Sequence, residues 1–300
     1  MAAERIITNG TVELWTEEFG DAAHPPILLV PGSMSSSVTW PDALVGRLVA
    51  AGRRAIRFDQ RDTGRSSAID FDAEPYTWAD GKDDILAVLD GYGIAAAHLV
   101  GHSAGGLLAQ WVAADHPERV LTLTTIGSSP LGGQEGRTLM RALTGQATPA
   151  DDDLPFPRRE FVEYFTQVTP PAPERAALID FAIATARVMN GTALPFDEDE
   201  QRRLEERVFD RARRPGSEAN HQRAFQADPA FEPVGALEKI EAPTLAIEGT
   251  HEPCKTGHSA LIAEGVRNGR LLMVQDMGHL MTAPTVRPLA EAIIDHTPVT

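Results

Sequence analysis

The sequence predicts an α/β fold, with a mostly parallel, doubly wound sheet into which a helical segment is inserted. Two observations indicate this class. Short apolar, β-branched runs alternate with helix-like runs before residue 127 and again after residue 243. That order covers a parallel sheet with helices on both faces. The long stretch between the two parts contains no convincing strand, and Pro and Gly are frequent in it.

The first elements are a hairpin and a buried strand. Residues 5–15 alternate polar and apolar side chains around the turn Asn9-Gly10, which is a strong hairpin signal. Residues 26–30 are continuously apolar, as a strand covered on both faces requires. Small residues open the loop at 31–37 that follows, so we expect its backbone N–H groups to face a ligand.

Strands and helices then alternate towards the middle of the chain. We predict a helix at 40–51, a strand at 55–58, a helix at 78–92 and a strand at 120–126. The charged loop at 59–67 is interpreted as a self-satisfied, salt-bridged turn that fixes its own shape. After the insertion, strands and helices resume at 243–247, 258–266, 270–274 and 285–296.

The insertion is predicted to be a helical cap. Its helix-like stretches lie at 160–167, 173–190, 197–213 and 218–226. We assign residues 1–127 and 231–300 to the core and residues 128–230 to the cap. Because the cap lies between two core strands, we expect it to cover the active site as a movable lid.

The composition excludes several classes of protein. A net charge of −16 disfavours binding to nucleic acid or to an anionic membrane. Cys254 is the only cysteine, so the chain forms no internal disulfide. No apolar run is long enough to span a bilayer, and the N-terminus lacks the apolar segment of a signal peptide. We therefore expect a cytoplasmic protein whose partner is a small molecule.

The turn at Ser103 has the pattern G-x-S-x-G, formed with Gly101 and Gly105. An apolar strand precedes it and a helix-like run follows, which is the context of a nucleophile elbow. Glycine at these two positions avoids collisions with the neighbouring elements, and a helix N-terminus favours negative charge at the serine. The alternative is an ordinary turn with a serine N-cap. A near copy at residues 257–261 lacks the last glycine.

A serine hydroxyl needs a base to take its proton. After a nucleophile elbow, the acid and then the histidine follow along the chain. His279 follows the last predicted strand, and Gly278 permits a tight loop that aims the ring at Ser103. We therefore predict His279 as the base. His258 begins a predicted helix, and His296 lies on the last helix.

The acid is expected after the strand at 243–247, where it would hold one tautomer of the imidazole. Glu252 is our choice in that loop, although a solvated loop carboxylate is the simpler interpretation. Glu248, at the strand end, and Asp276, in the loop of the histidine, are the alternatives.

Backbone N–H groups would bind the oxyanion. We expect one from Ala104, after the nucleophile, and the other from Ser33, with Met34 as the alternative. Cys254 lies near His251 and His258, but the spacing fits no standard zinc pattern. No nucleotide-binding motif is present, so we expect neither a metal nor a cofactor.

Other histidines are assigned no role in the chemistry. His102, beside the nucleophile, is interpreted as a packing residue. The histidines that precede the acid in the chain are interpreted as surface or capping residues: His24, His98, His116 and His221.

The chain resembles the α/β-hydrolases, and within them the aclacinomycin methylesterase group of bacterial aromatic polyketide esterases. The resemblance runs nearly end to end and includes the elbow and residues 12–15, 61–66, 191–197 and 277–279. It implies that Ser103 is the nucleophile and His279 the base. The acid of this group is usually an aspartate, and Glu252 stands at that position here.

These observations together predict a cofactor-free serine hydrolase that cleaves a carboxylic ester through an acyl-enzyme. The resemblance implies a small-alcohol ester of a bulky, apolar or polyketide-like acid. We expect Gly32, Met34 and Phe196 to contact the substrate. The alternatives are perhydrolase, C–C hydrolase or lyase chemistry on the same triad, or a non-catalytic small-molecule receptor.

Overall fold

A single sheet forms the centre of the molecule. The structure is a computed structural model that describes residues 3–146, 148–150, 154–169, 171–172, 174–227, 233 and 235–298. Within these residues the strands are β1 (Ala3–Asn9), β2 (Val12–Phe19), β3 (Pro26–Val30), β4 (Arg54–Phe58), β5 (Ala97–His102), β6 (Val120–Ile126), β7 (Thr244–Gly249) and β8 (Gly269–Val274).

The order across the sheet is β1-β2-β4-β3-β5-β6-β7-β8. Strand β2 pairs antiparallel with β1 and with β4, and every other pairing is parallel. The mostly parallel, doubly wound sheet predicted from the sequence is therefore confirmed. Its carboxyl edge, where ligands bind in such sheets, carries the loops that follow β3, β5, β7 and β8.

Helices cover both faces of the sheet. The described helices of four residues or more are α1 (Asp42–Ala50), α2 (Trp78–Gly91), α3 (Ala104–Asp115), α4 (Glu135–Leu143), α5 (Arg159–Gln167), α6 (Arg175–Met189), α7 (Glu198–Arg211), α8 (Asn220–Ala227), α9 (His258–Gly265) and α10 (Ala283–His296). Not one of them is both long enough and apolar enough to cross a membrane.

The period-two alternation of the strands divides the buried side chains between two cores. On β3, Leu28 packs on the face covered by α2 and α3. Its neighbours Ile27 and Leu29 pack on the opposite face, against α1 and α10. Because successive side chains of a strand point to opposite faces, one continuous apolar run supplies both cores.

Helices α4 to α8 lie between β6 and β7. Four of the five were predicted within a few residues, but α4 was not. Its apolar positions lie only in its second half, at Leu139, Met140, Ala142 and Leu143, and Gly136 weakens the helical pattern in the first half. The predicted boundary at residue 127 follows the end of β6 directly. The predicted boundary at residues 230 and 231 lies outside the described residues, so the domain limits stay a prediction.

The expectation of a self-satisfied, salt-bridged turn at residues 59–67 is wrong for its ion pairs, which the structure forms with residues outside the loop. Asp59 accepts hydrogen bonds from the N–H and hydroxyl of Ser37 and pairs with Arg211 at the end of α7. Arg61 forms two hydrogen bonds of 2.8 Å to Asp84 in α2. The loop therefore joins the sheet to α2 and to the inserted helices, because Asp59 and Arg61 take partners outside the loop.

Candidate active site

Ser103 stands on a strained turn between β5 and α3. Its φ is 54°, a region that non-glycine residues rarely occupy and that costs about 1–3 kcal/mol. A Cβ at Gly101 would lie 2.4 Å from the Gly105 carbonyl oxygen, and a Cβ at Gly105 would lie 2.3 Å from that of Pro31. The two glycines therefore permit the close approach of strand and helix that presents the serine.

A buried acid–base pair lies at the ends of β7 and β8. His279 Nδ1 donates to Glu252 Oε2 at 2.8 Å, and the Glu252 side chain is fully buried. Burial by itself raises the pKa of Glu252. The charge and hydrogen bond of His279, with N–H donors from Cys254 and Lys255, outweigh burial and lower that pKa. The carboxylate is thus held ionised against the imidazole.

The two alternative acids lie elsewhere. Glu248 accepts the N–H groups of Gly257 and Ser259 at 2.6 and 2.9 Å, at the start of α9. Burial raises the pKa of Glu248, against these hydrogen bonds. Asp276 accepts from its neighbour Gln275. The structure therefore brings Glu252 to His279, and neither of the other two carboxylates makes a hydrogen bond to that ring.

A hydrogen bond to the backbone carbonyl of His279 joins the acid–base pair to the elbow. His102 Nε2 donates to the carbonyl of His279 at 2.9 Å, and their ring centroids are 4.8 Å apart. A Cβ at Gly127, just after β6, would lie 3.0 Å from Glu252 Oε2 and 3.1 Å from His279 Nδ1. Burial lowers the pKa of His102 to about 3, so this histidine stays neutral. It is a hydrogen-bonding residue as well as the packing residue we expected.

The Ser103 hydroxyl makes no hydrogen bond to any residue that the structure describes. Catalytic hydrogen bonds are often long without substrate and tighten only in the complex. Ser103 itself donates its N–H to the Ile126 carbonyl at 2.8 Å, which ties the elbow to β6.

Three N–H groups without a partner among the described residues lie near the serine. The N–H groups of Ser33 and Ala104 donate to no described residue, and neither does that of Gly32. A Cβ at Gly32 would lie 3.2 Å from Ser103 Cβ, so the loop after β3 runs directly beside the nucleophile. Met34, the alternative donor, already gives its N–H to His221 Nδ1 at 2.9 Å.

Two of the histidines interpreted as surface or capping residues are buried. His98, in β5, is 3 % exposed and lies 2.9 Å from Thr122 Oγ1. His221, in α8, is 2 % exposed and bonds both to Met34 and to the Arg61 carbonyl. Sequence reasoning missed His221, because nothing in the local pattern of α8 signals a partner in a loop 187 residues away.

The inserted helices reach the catalytic loops at further points. Arg158, before α5, donates to the carbonyls of Thr250 and Glu252 at 2.8 and 2.9 Å. The N–H of His279 donates to the Met189 carbonyl, at the end of α6, at 2.7 Å. The guanidinium carbon of Arg187 lies over the Phe196 ring, 4.5 Å from the ring centroid. The expected contact of Phe196 with substrate therefore stays a prediction.

No group of three or more metal-ligating side chains is clustered among the described residues. Burial raises the pKa of the Cys254 thiol well above its ordinary value. His258 is engaged instead with Ser129 and with the Pro155 carbonyl, each at 2.9 Å.

Comparison with known proteins agrees with this architecture. Residues 25–282 match the family model of the alpha/beta hydrolase fold. Rhodomycin D methylesterase DnrP of Streptomyces peucetius is 38 % identical over 98 % of this chain and 97 % of its own. Rhodomycin D methylesterase DauP of Streptomyces sp. (strain C5) is 37 % identical with the same coverage. Epoxide hydrolase A of Mycobacterium thermoresistibile superimposes over the full length of both chains with a TM-score of 0.72 at 20 % identity.

The chain belongs to the α/β-hydrolase family. Within that family it groups with the polyketide methylesterases of the aclacinomycin and rhodomycin type, as the sequence motifs indicated. The likeness to the epoxide hydrolase concerns the fold alone. The protein is thus assigned to the ester hydrolases of this fold.

Proposed function

We propose that this protein is a serine esterase in which Ser103 is the nucleophile, His279 the base and Glu252 the acid. The observation that carries the proposal is the buried hydrogen bond between His279 and Glu252, joined to the strained elbow of Ser103. The Glu252 carboxylate accepts the hydrogen bond from the protonated ring nitrogen of His279, Nδ1. Nε2 is therefore left as the basic nitrogen.

In the first half of the reaction, Ser103 Oγ attacks the ester carbonyl while its proton passes to His279 Nε2. The oxyanion is bound by the N–H groups of Ala104 and Ser33, which have no other acceptor among the residues that the structure describes. The N-terminus of α3 adds its dipole to these donors. The imidazolium then protonates the alkoxide, and the C–O bond breaks to leave an acyl-enzyme.

In the second half, water replaces the alcohol. His279 takes a proton from the water, whose oxygen attacks the acyl carbon. The C–O bond to Ser103 then breaks, and the proton returns to Oγ as the acid leaves. The overall reaction converts an ester and water into an acid and an alcohol, so no cofactor is needed.

The substrate we propose is a small-alcohol ester, such as a methyl ester, of a bulky and largely apolar acid. The two full-length relatives are named for methyl ester hydrolysis on rhodomycin D. The Met34 side chain, two residues beyond Gly32, is 40 % exposed, and it offers apolar surface close to the elbow. Binding of remote rings would hold the carbonyl at the oxyanion donors.

Active-site labelling tests the nucleophile. A fluorophosphonate probe should label Ser103 stoichiometrically, and Ser103→Ala should abolish labelling and lower kcat at least about 10⁴-fold. His279→Ala should be about as damaging, and the double variant little worse, because the two residues act as a unit. Ser259→Ala is the matched control, since this serine belongs to the near-copy motif and bonds to the Ile247 carbonyl. Additive losses, or labelling at another residue, would overturn the assignment.

A series of methyl esters of increasing aromatic size tests the substrate. We expect kcat/KM to rise with the size of the acid, and kcat itself to fall for truncated substrates, because remote binding energy orients the carbonyl. Acetate esters of matched bulky alcohols are the control series. A preference for these, or a flat series, would place the large group on the leaving side.

A further inference from the structure

The loop between β3 and α1 forms a turn in which the Ser35 N–H donates to the Gly32 carbonyl and the Ser35 hydroxyl to the Ser33 carbonyl, each at 3.3 Å. Met34 has a φ of 60°, although it is neither glycine nor asparagine, and its side chain is 40 % exposed. Burial of the methionine therefore does not stabilise this strained backbone conformation. The loop nevertheless sets the position of Ser33, whose N–H group has no partner among the described residues.

Two buried side chains hold this loop at its ends. Gln60 Nε2 donates to the Pro31 carbonyl at 2.6 Å, and His221 Nδ1 accepts the Met34 N–H at 2.9 Å. Between these anchors the loop passes 3.2 Å from Ser103 Cβ, measured to a Cβ built on Gly32. A shift of the Met34 anchor would therefore move the N–H groups that flank the nucleophile.

His221 is itself fixed in position and tautomer. Its Nε2 lies 2.8 Å from the Arg61 carbonyl oxygen. The centroid of its ring lies 5.6 Å from the centroid of the Trp78 ring. Because a carbonyl only accepts and an amide N–H only donates, Nε2 carries the proton and Nδ1 presents its lone pair to Met34. Arg61 is held in turn by Asp84 through two 2.8 Å hydrogen bonds. Burial also lowers the pKa of His221, which keeps the ring neutral.

We propose that His221 is a positioning residue for ester hydrolysis: from the inserted helix α8 it accepts the Met34 N–H and so fixes the oxyanion loop beside Ser103. The inference rests on the proposed function. It gives the insertion a part in transition-state stabilisation. The acceptor that holds the loop, His221 Nδ1, comes from α8, and the N–H groups that bind the oxyanion come from the core. Nothing in the role requires His221 to touch the substrate.

Two substitutions separate this role from a structural one. Asparagine places its Oδ1 near the position of Nδ1, so His221→Asn keeps an acceptor for Met34 and loses the bond to Arg61. Glutamine places its polar atoms near Nε2, so His221→Gln keeps a donor for Arg61 and loses the bond to Met34. We expect His221→Gln to lower kcat about ten- to hundredfold with KM nearly unchanged, and His221→Asn to stay within about threefold of the wild type.

The control is another buried histidine, far from the loop. His296, in α10, lies 3.2 and 3.1 Å from the carbonyls of Leu123 and Pro243. His296→Asn should lower the melting temperature and leave kcat unchanged. If both His221 variants lose the same fraction of kcat, and that loss parallels the fall in their melting temperatures, the positioning role is overturned.

A measurement on the unaltered protein covers the case in which a variant does not fold. Histidine ¹⁵N NMR should show His221 as the neutral Nε2–H tautomer, with a through-hydrogen-bond coupling between Nδ1 and the Met34 amide. The opposite tautomer or an imidazolium at neutral pH would overturn the inference. A wild-type protein that hydrolyses no ester and takes no fluorophosphonate would instead overturn the proposed function, and the positioning role with it.

Discussion

At the residue scale, two buried glutamates four positions apart have different environments. Glu252 accepts from an imidazole and two backbone N–H groups, and its pKa is lowered despite complete burial. Glu248 accepts from Gly257 and Ser259 and has no imidazole partner, and burial raises its pKa. The difference arises because the chain turns between them, so that one carboxylate meets His279 and the other meets the start of α9.

The corresponding substitutions should therefore have unequal effects on activity. We expect Glu252→Gln to lower kcat about 10³-fold or more, yet less than Ser103→Ala does, because the base and the oxyanion donors remain. Glu248→Gln, the matched control, should change kcat by less than about tenfold and affect mainly thermal stability. Steady-state kinetics of the two variants on one ester make the comparison. If Glu248→Gln is the more damaging change, the acid is misassigned by four residues.

At the element scale, the inserted helices are bonded to each catalytic loop. The region before α5 supplies Arg158 to the loop of Glu252, the end of α6 supplies the Met189 carbonyl to His279, and α8 supplies His221 to the oxyanion loop. By contrast, α7 has no buried residue. Any movement of the cap would thus be easiest in the first turns of α7, away from the ion pair of Arg211 with the buried Asp59, and restricted where the insertion joins the active site.

The movable lid remains a prediction, and limited proteolysis tests it. Without ligand, cleavage should concentrate in or next to α7, because a segment with few buried contacts opens at low free-energy cost. A saturating non-hydrolysable ester analogue should slow that cleavage if the cap closes over bound ligand. Cleavage in the exposed loop after β2, near residue 21, gives the internal reference. Equal rates with and without ligand would argue against a gating lid.

At the scale of the whole molecule, buried histidines make stability depend on pH. Burial lowers the pKa of His98 from 6.5 to about 4 and that of His102 from 6.5 to about 3. Burial lowers the pKa of His221, His258 and His296 as well. Below pH 6.5 the unfolded chain therefore binds more protons than the folded one, and acid favours unfolding.

We expect the free energy of unfolding to fall as the pH drops from about 6.5 towards 4. Each histidine contributes up to about 1.4 kcal/mol per pH unit within the interval between its unfolded and folded pKa. Denaturant titrations at several pH values measure the slope. His98→Asn should reduce it, because the amide can still bond to Thr122 and does not titrate. An unchanged slope in this variant would show that His98 does not contribute to the pH dependence of the free energy of unfolding.

Much of this architecture follows from short-range pattern. The alternation of apolar strands with helices depends on periods of two and 3.6 residues, so the sheet and four of the five inserted helices could be predicted. The pattern G-x-S-x-G marks the two glycines around Ser103, and a Cβ at Gly101 would lie 2.4 Å from the Gly105 carbonyl oxygen, in the helix that follows directly. The 2.3 Å approach of a Gly105 Cβ to the Pro31 carbonyl oxygen, in contrast, joins segments that are distant in the chain. Chain order and strand ends led us to expect Ser103, Glu252 and His279 at one edge of the sheet, because the loops after parallel strands share that edge. The hydrogen bond between His279 and Glu252 agrees with this expectation.

Tertiary structure alone decided the contacts between distant segments. The sequence left Glu248, Glu252 and Asp276 as alternatives, since a shift of a few residues in a loop changes which carboxylate meets a ring. It offered no sign that His221 would accept a hydrogen bond from Met34, 187 residues earlier in the chain. Such a contact depends on how α8 packs against α2 and the core, and packing follows from the whole set of buried side chains rather than from any local period.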